Sequence, residues 1–141
     1  MSLFEERMME KQEEQERSDA FRILDSIEAG IKNDAELQEA YADVKRSILR
    51  YYEKVESQEH RRSPGGEVLK ASEAEESDFD RKIAHDALID RLNILSRLFV
   101  KKGIEPYWRT SWGSPGTTAE RRAITRWVEE IAPVMKQEVS G

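Results

Sequence analysis

The stretch NDAELQEAYADVKRSILRYYEKVESQ, residues 33–58, decides the fold. Asn33-Asp34-Ala35-Glu36 reads as a helix N-cap with Glu three residues later. Behind it Leu37, Tyr41, Val44, Ile48, Tyr51 and Val55 recur alternately four and three residues apart, the narrow seam of a heptad. No sustained alternation of period two, the mark of a half-buried strand, occurs here or elsewhere in the chain.

Working outward, the preceding helix spans about Phe4 to Ala29. Its second half carries the packed stripe Ala20, Ile23, Leu24 and Ile27, with Ile31 in register beyond Gly30, the expected stop. Its first half differs: from Glu10 to Arg17 there is no apolar residue. Residues 1–17 are therefore expected to form an arm that projects, exchanges onto a partner chain or frays. Downstream, a flexible acidic loop is expected at 61–76, around Ser63-Pro64-Gly65-Gly66. A third helix then runs from Ser77 or Asp78 to Lys102, stopped by Gly103, with Ala84, Leu88, Leu92, Leu95 and Phe99 on one face. Ala87, Ile94 and Leu98 widen that face, making this helix the most buried by expectation. Thr117 and Glu120 form a capping box for a last helix with Ile124, Trp127, Val128, Ile131 and Met135 inward, which Pro133 should kink or end. The expected fold is all-α, an antiparallel bundle of three to four long helices forming one domain over 18–139.

Composition narrows the function classes. Charged residues are 37% of 141, against about 25% in a typical domain, so the core is lean. There is no cysteine, which excludes disulfides and thiolate metal sites, and His60 and His85 alone cannot build a histidine-rich metal cluster. No metal and no cofactor is expected. The acidic start has no apolar h-region and no apolar run is long enough to span a bilayer, so no membrane association is expected and the cytoplasm is the expected location. The net charge of −6 conceals an asymmetry: residues 1–80 hold 22 acidic and 12 basic side chains, residues 81–126 hold 4 acidic and 10 basic. Either the halves neutralise each other within the bundle or a dimer, the more common outcome, or the basic half faces an anionic partner.

Two groups of residues stand out for chemistry. On a helical wheel Arg81, His85 and Arg91 fall on or beside the apolar face of the third helix, and Glu28 sits on the packed face of the first. They read as a polar pocket inside the bundle or, more simply, as a structural ion pair with a boundary histidine. Arg91 in particular is expected to face the core and pair with Glu28. The second group spans the aromatic loop and the start of the last helix: Trp108, Arg109, Trp112, Thr117, Arg121 and Arg122. Rings, hydroxyls and guanidinium groups at a helix N-terminus suit an anion or a partner surface, whereas rings folded back on the core make a lid, the favoured reading for so lean a chain. Asp86 and Asp90, one turn apart, fit a solvated face better than an acid–base pair, because no second motif converges on them.

The string Arg81-Lys82-Ile83-Ala84-His85-Asp86-Ala87-Leu88-Ile89-Asp90-Arg91-Leu92-Asn93 resembles a helix of a family of small, uncharacterised bacterial all-helical proteins. In those, Ala-His-Asn/Asp-Ala-Leu-Ile sits mid-chain ahead of a further helix. The resemblance implies a bacterial source and a compact helical fold, and no activity. The expected function is a non-catalytic protein-interaction or regulatory module that associates with itself or with another protein. The alternative is anion or nucleic-acid binding through 81–126, disfavoured because the acidic half repels the same polyanion. A weaker alternative is an enzyme with a small polar pocket near His85.

Overall fold

The computed structural model of the chain describes residues 2–62 and 71–140. Among these residues five helices succeed one another: α1 (Leu3–Ile31), α2 (Ala35–Arg62), α3 (Ala71–Lys101), the single turn α4 (Tyr107–Thr110) and α5 (Thr118–Ser140). Among the described residues there is no strand, and no helix is long and apolar enough to cross a membrane.

Local chemistry explains each boundary. Ser2 caps α1 through a capping box: its Oγ accepts from the Glu5 amide at 3.2 Å and its own amide donates to Glu5 Oε2 at 3.3 Å. The helix does not stop at Gly30. It continues to Ile31 because Gly30 serves packing instead: a Cβ there would lie 2.7 Å from the Phe99 ring. The cap of α2 is Asp34 rather than Asn33, its Oδ1 accepting from the Leu37 amide at 3.0 Å. The same carboxylate takes Lys102 Nζ at 2.8 Å and so ties the start of α2 to the end of α3. The hydrogen bond from Lys102 holds the Asp34 carboxyl below its ordinary pKa, and Asp34 in turn raises that of the ammonium.

α3 starts at Ala71, so 71–76 is helix rather than the expected loop; the rest of that loop up to residue 70 lies outside the described residues from 63 on. It ends as its sequence indicates. Gly103 takes φ 78°, its amide donates to Val100 O at 3.0 Å, and the Ile104 amide donates to Phe99 O at 2.9 Å, the paired bonds of a Schellman turn. α5 runs through Pro133 to Ser140. Proline removes one helical bond, but Ile131, Ala132 and Met135 on either side are buried and hold the last turns to the core.

The seam of α2 is the spine of the core. Leu37, Val44 and Ile48 are fully buried, and Tyr41 and Tyr51 nearly so. α2 packs chiefly against α3 and also against α5, while α1 packs against α5, α2 and α4. Fully burying one such aliphatic or aromatic side chain is worth roughly 1.5–3 kcal/mol, so this seam and its partners Leu88, Leu92, Leu95, Ile124 and Ile131 carry the fold. A short turn makes α2 run back along α1. At the far end Gln58 Nε2 donates to Asp78 Oδ1 at 2.7 Å, which sets the end of α2 beside the beginning of α3. Glu138 lies near Tyr41 and Glu129 near Tyr52, so α5 runs antiparallel to α2. The N-terminal ends of α1, α3 and α5 therefore share one end of the bundle.

Candidate binding groove between α3 and α5

Because α2 separates α3 from α5 at this end, an open groove of about 900 Å³ remains between them. Its floor is a chain of polar contacts. Tyr51 Oη and Thr125 Oγ1 lie 2.9 Å apart, and the Tyr51 ring meets the His85 ring edge-on, centroids 5.2 Å apart at 70°. His85 is buried, with Nδ1 3.5 Å from Asp86 Oδ1. A histidine on the apolar edge of α3 thus ends against an aromatic ring with its polar side toward the groove.

The walls come from matching faces of two helices. On α5, Thr118, Arg121, Arg122, Thr125, Arg126 and Glu129 repeat at helical spacing opposite the buried Trp127 and Ile131. On α3, Arg81 and Lys82 add two more cations, and Phe79 stands exposed on the rim. Four carboxylates also line the groove: Glu75, Asp78, Asp86 and Glu129. Asp78 is engaged by Gln58. Burial, with Glu59 nearby, pushes the Glu129 carboxyl above its ordinary pKa. The arrangement suits a ligand with an apolar stripe and more negative than positive charge.

The structure brings together Arg81 and His85 of the expected polar pocket with Arg121 and Arg122 of the expected anion surface. It does not bring Glu28 or Arg91 to them. Glu28 is exposed and accepts from Tyr41 Oη at 3.0 Å. Arg91 is also exposed, on a surface shared with Asp90 and Arg97, so the expected core pairing of Glu28 with Arg91 is not formed. The reason is the narrowness of the buried stripe on α3. His85, Leu88, Leu92, Leu95 and Phe99 keep to a heptad seam with Ala84 beside its start, and the flanks with Ala87, Arg91 and Ile94 stay uncovered.

Trp108 and Trp112 are buried, as the lid reading has them. Their rings continue a file from Phe99 to Trp127, with successive centroids 5.8, 5.9 and 5.1 Å apart. The file is closed by Trp127 Nε1, which donates to Ala20 O at 3.1 Å. Arg109 reaches neither groove nor solvent with a free charge: Nη1 donates to Glu120 Oε2 at 2.9 Å and Nη2 to Asn93 Oδ1 at 2.7 Å. Glu120, 1% exposed, also accepts from the Gly116 amide at 3.2 Å, one residue earlier than a standard capping box would place it. Thr117 caps α5, its Oγ1 accepting from the Glu120 amide at 3.2 Å. Trp108, Arg109, Trp112 and Thr117 are thus parts of the lid and the cap. Lys82, Thr125 and Arg126 are groove residues that the sequence alone does not single out, although the polar face of α5 is readable from its helical spacing.

Fold and groove together define an all-α bundle with an open interhelical channel of mixed charge. The chain belongs to the family described as protein of unknown function (DUF3232), whose profile matches residues 6–137. This agrees with the resemblance of residues 81–93 to an uncharacterised family. No curated protein and no solved structure matches the chain.

Proposed function

We propose that this chain is a non-catalytic helical interaction module that associates with itself. The observation that carries the reading is the amino-terminal half of α1. It extends beyond the packed segment Ala20–Ile31 and exposes large apolar side chains without a core to cover them: Leu3 is 65% exposed, Phe4 72%, Met8 54% and Met9 50%. An apolar stripe capped at its start, as Ser2 and Glu5 cap this one, gains stability only by packing on another surface. Sedimentation and light scattering of the full chain at micromolar concentration should give about twice the 16.4 kDa chain mass. A mass of 16.4 kDa at every concentration overturns the reading.

A second reading, binding of an anion or nucleic acid, is favoured by one observation: Arg81, Arg121 and Arg122 converge on the same groove. Fluorescence anisotropy with a labelled oligonucleotide at low salt tests it. Binding that weakens steeply with added salt, and again in Arg121→Ala or Arg122→Ala, supports it; no binding at low salt removes it.

A further inference from the structure

The groove and the arm are each incomplete, and each has what the other lacks. Resting on the self-association reading, we infer that the acidic arm of one copy, from Leu3 to about Glu14, lies in the α3/α5 groove of a second copy, so that two chains exchange their first helical turns.

Length agrees. The groove walls run from Glu75 to Asp86 on α3 and from Thr118 to Glu129 on α5. At about 1.5 Å per residue each wall is about 17 Å long, the same as the arm from Leu3 to Glu14. Position agrees as well. The arm leaves the bundle at the end where α3 and α5 begin, so a two-fold axis there lets each arm enter the other copy's groove.

Charge agrees in sign. Residues 3–17 carry six glutamates against three basic residues. The walls present Arg81, Lys82, Arg121 and Arg122, beside an Arg126 that is already engaged, against four carboxylates, one of them held by Gln58 and one with its pKa raised by burial. With the Phe4–Met8 stripe turned to the floor, Arg7 and Lys11 flank it on one side and can meet wall carboxylates, Glu5 flanks it on the other and can meet the guanidinium groups, and Glu6 and Glu10 lie on the far face. The apolar parts complete the match. Phe4 and Met8, one turn apart, form a stripe on the arm, and the groove offers the half-buried Ala123 with Phe79, 63% exposed, at its rim. A helix laid in such a groove is a recurring mode of recognition. Stable dimers bury about 1,200–2,000 Å² in total, which two symmetric arm–groove contacts would share.

The absence of cysteine makes the test clean. A nitroxide is placed on Lys11→Cys, and this chain is mixed with isotope-labelled wild type. The exchanged arrangement broadens the amide signals of Lys82, His85, Thr118 and Arg122 in the labelled copy. Broadening confined to the labelled copy's own arm means that arms pair with arms, and it overturns the exchange while leaving self-association intact. A dimer by sedimentation with no broadening at either place means that another face associates, which also overturns the exchange. A monomer under all conditions overturns both. In the same assay Arg121→Glu combined with Arg122→Glu should weaken dimerisation by about tenfold or more, and Arg97→Glu outside the groove by less than about twofold. Equal affinities for these two variants overturn the exchange, and circular dichroism verifies that both remain folded.

Discussion

Arg109 and Arg91 carry the same charge in opposite surroundings. Arg109 is nearly enclosed, donates to Glu120 and Asn93, and lies over the Trp112 ring with 5.7 Å to the centroid. Replacing it with methionine leaves the Glu120 carboxylate buried with only the Gly116 amide and no cation. Stranding one member of a buried pair typically costs about 3–5 kcal/mol, so Arg109→Met should lose that much stability in urea denaturation. Arg91→Ala, at an exposed site, should stay within about 1 kcal/mol of wild type. Equal midpoints would show that Arg109 contributes nothing to the lid. The reversal of roles marks what a helical wheel reads and what it does not. The wheel places Arg91 beside Leu88 and Leu92, but whether that flank is covered depends on the helix laid over it. Conversely, Arg109 sits in a loop without periodicity, and nothing local in the sequence pairs it with Asn93. Glu120 is recognisable from the sequence as a cap, but its second bond to Arg109 is a tertiary fact.

At the scale of elements, strong periodicity is a better guide to the structure than single punctuating residues. The heptad seam of α2 reappears in the core nearly residue for residue, with Val55 half-buried at its end. Gly30 and Pro133 both have the local chemistry of a stop, and in both cases packing decides against local preference. Pro133 is carried by its buried neighbours. Gly30 lets the Phe99 ring of α3 come against the backbone of α1, tying two helices that otherwise touch little. In an open helix Gly→Ala gains up to about 1 kcal/mol of helix propensity. Here the new methyl group would lie 2.7 Å from the ring, and overpacking of this kind costs about 1–3 kcal/mol. Gly30→Ala should therefore lower the denaturation midpoint, and pairing it with Phe99→Leu should restore part of the loss by removing the obstructing ring edge. A gain in stability from Gly30→Ala alone would show that Phe99 moves aside without cost.

For the whole molecule, the acidic and basic halves of the sequence become an acidic arm and a groove with a cationic majority. The charge asymmetry is legible in the sequence; the groove is not, because it exists only where α2 holds α3 and α5 apart. Among the described residues the arm buries no large apolar side chain in its own chain, since Leu3, Phe4, Met8 and Met9 are all at least half exposed. Its contribution to stability should then be intermolecular and obey mass action. Wild type should melt at a temperature that rises with protein concentration, because association binds the folded state and not the unfolded one. Phe4→Ala combined with Met8→Ala should melt at a temperature independent of concentration. It should coincide with wild type at the dilute limit, where surface substitutions change stability by no more than about 0.5 kcal/mol. Added salt should bring the wild-type curve toward that of the variant, since an interface matched in charge at its rim weakens as the Debye length shrinks. A drop in melting temperature of the same size at every concentration would place Phe4 and Met8 on their own bundle and not on a second copy.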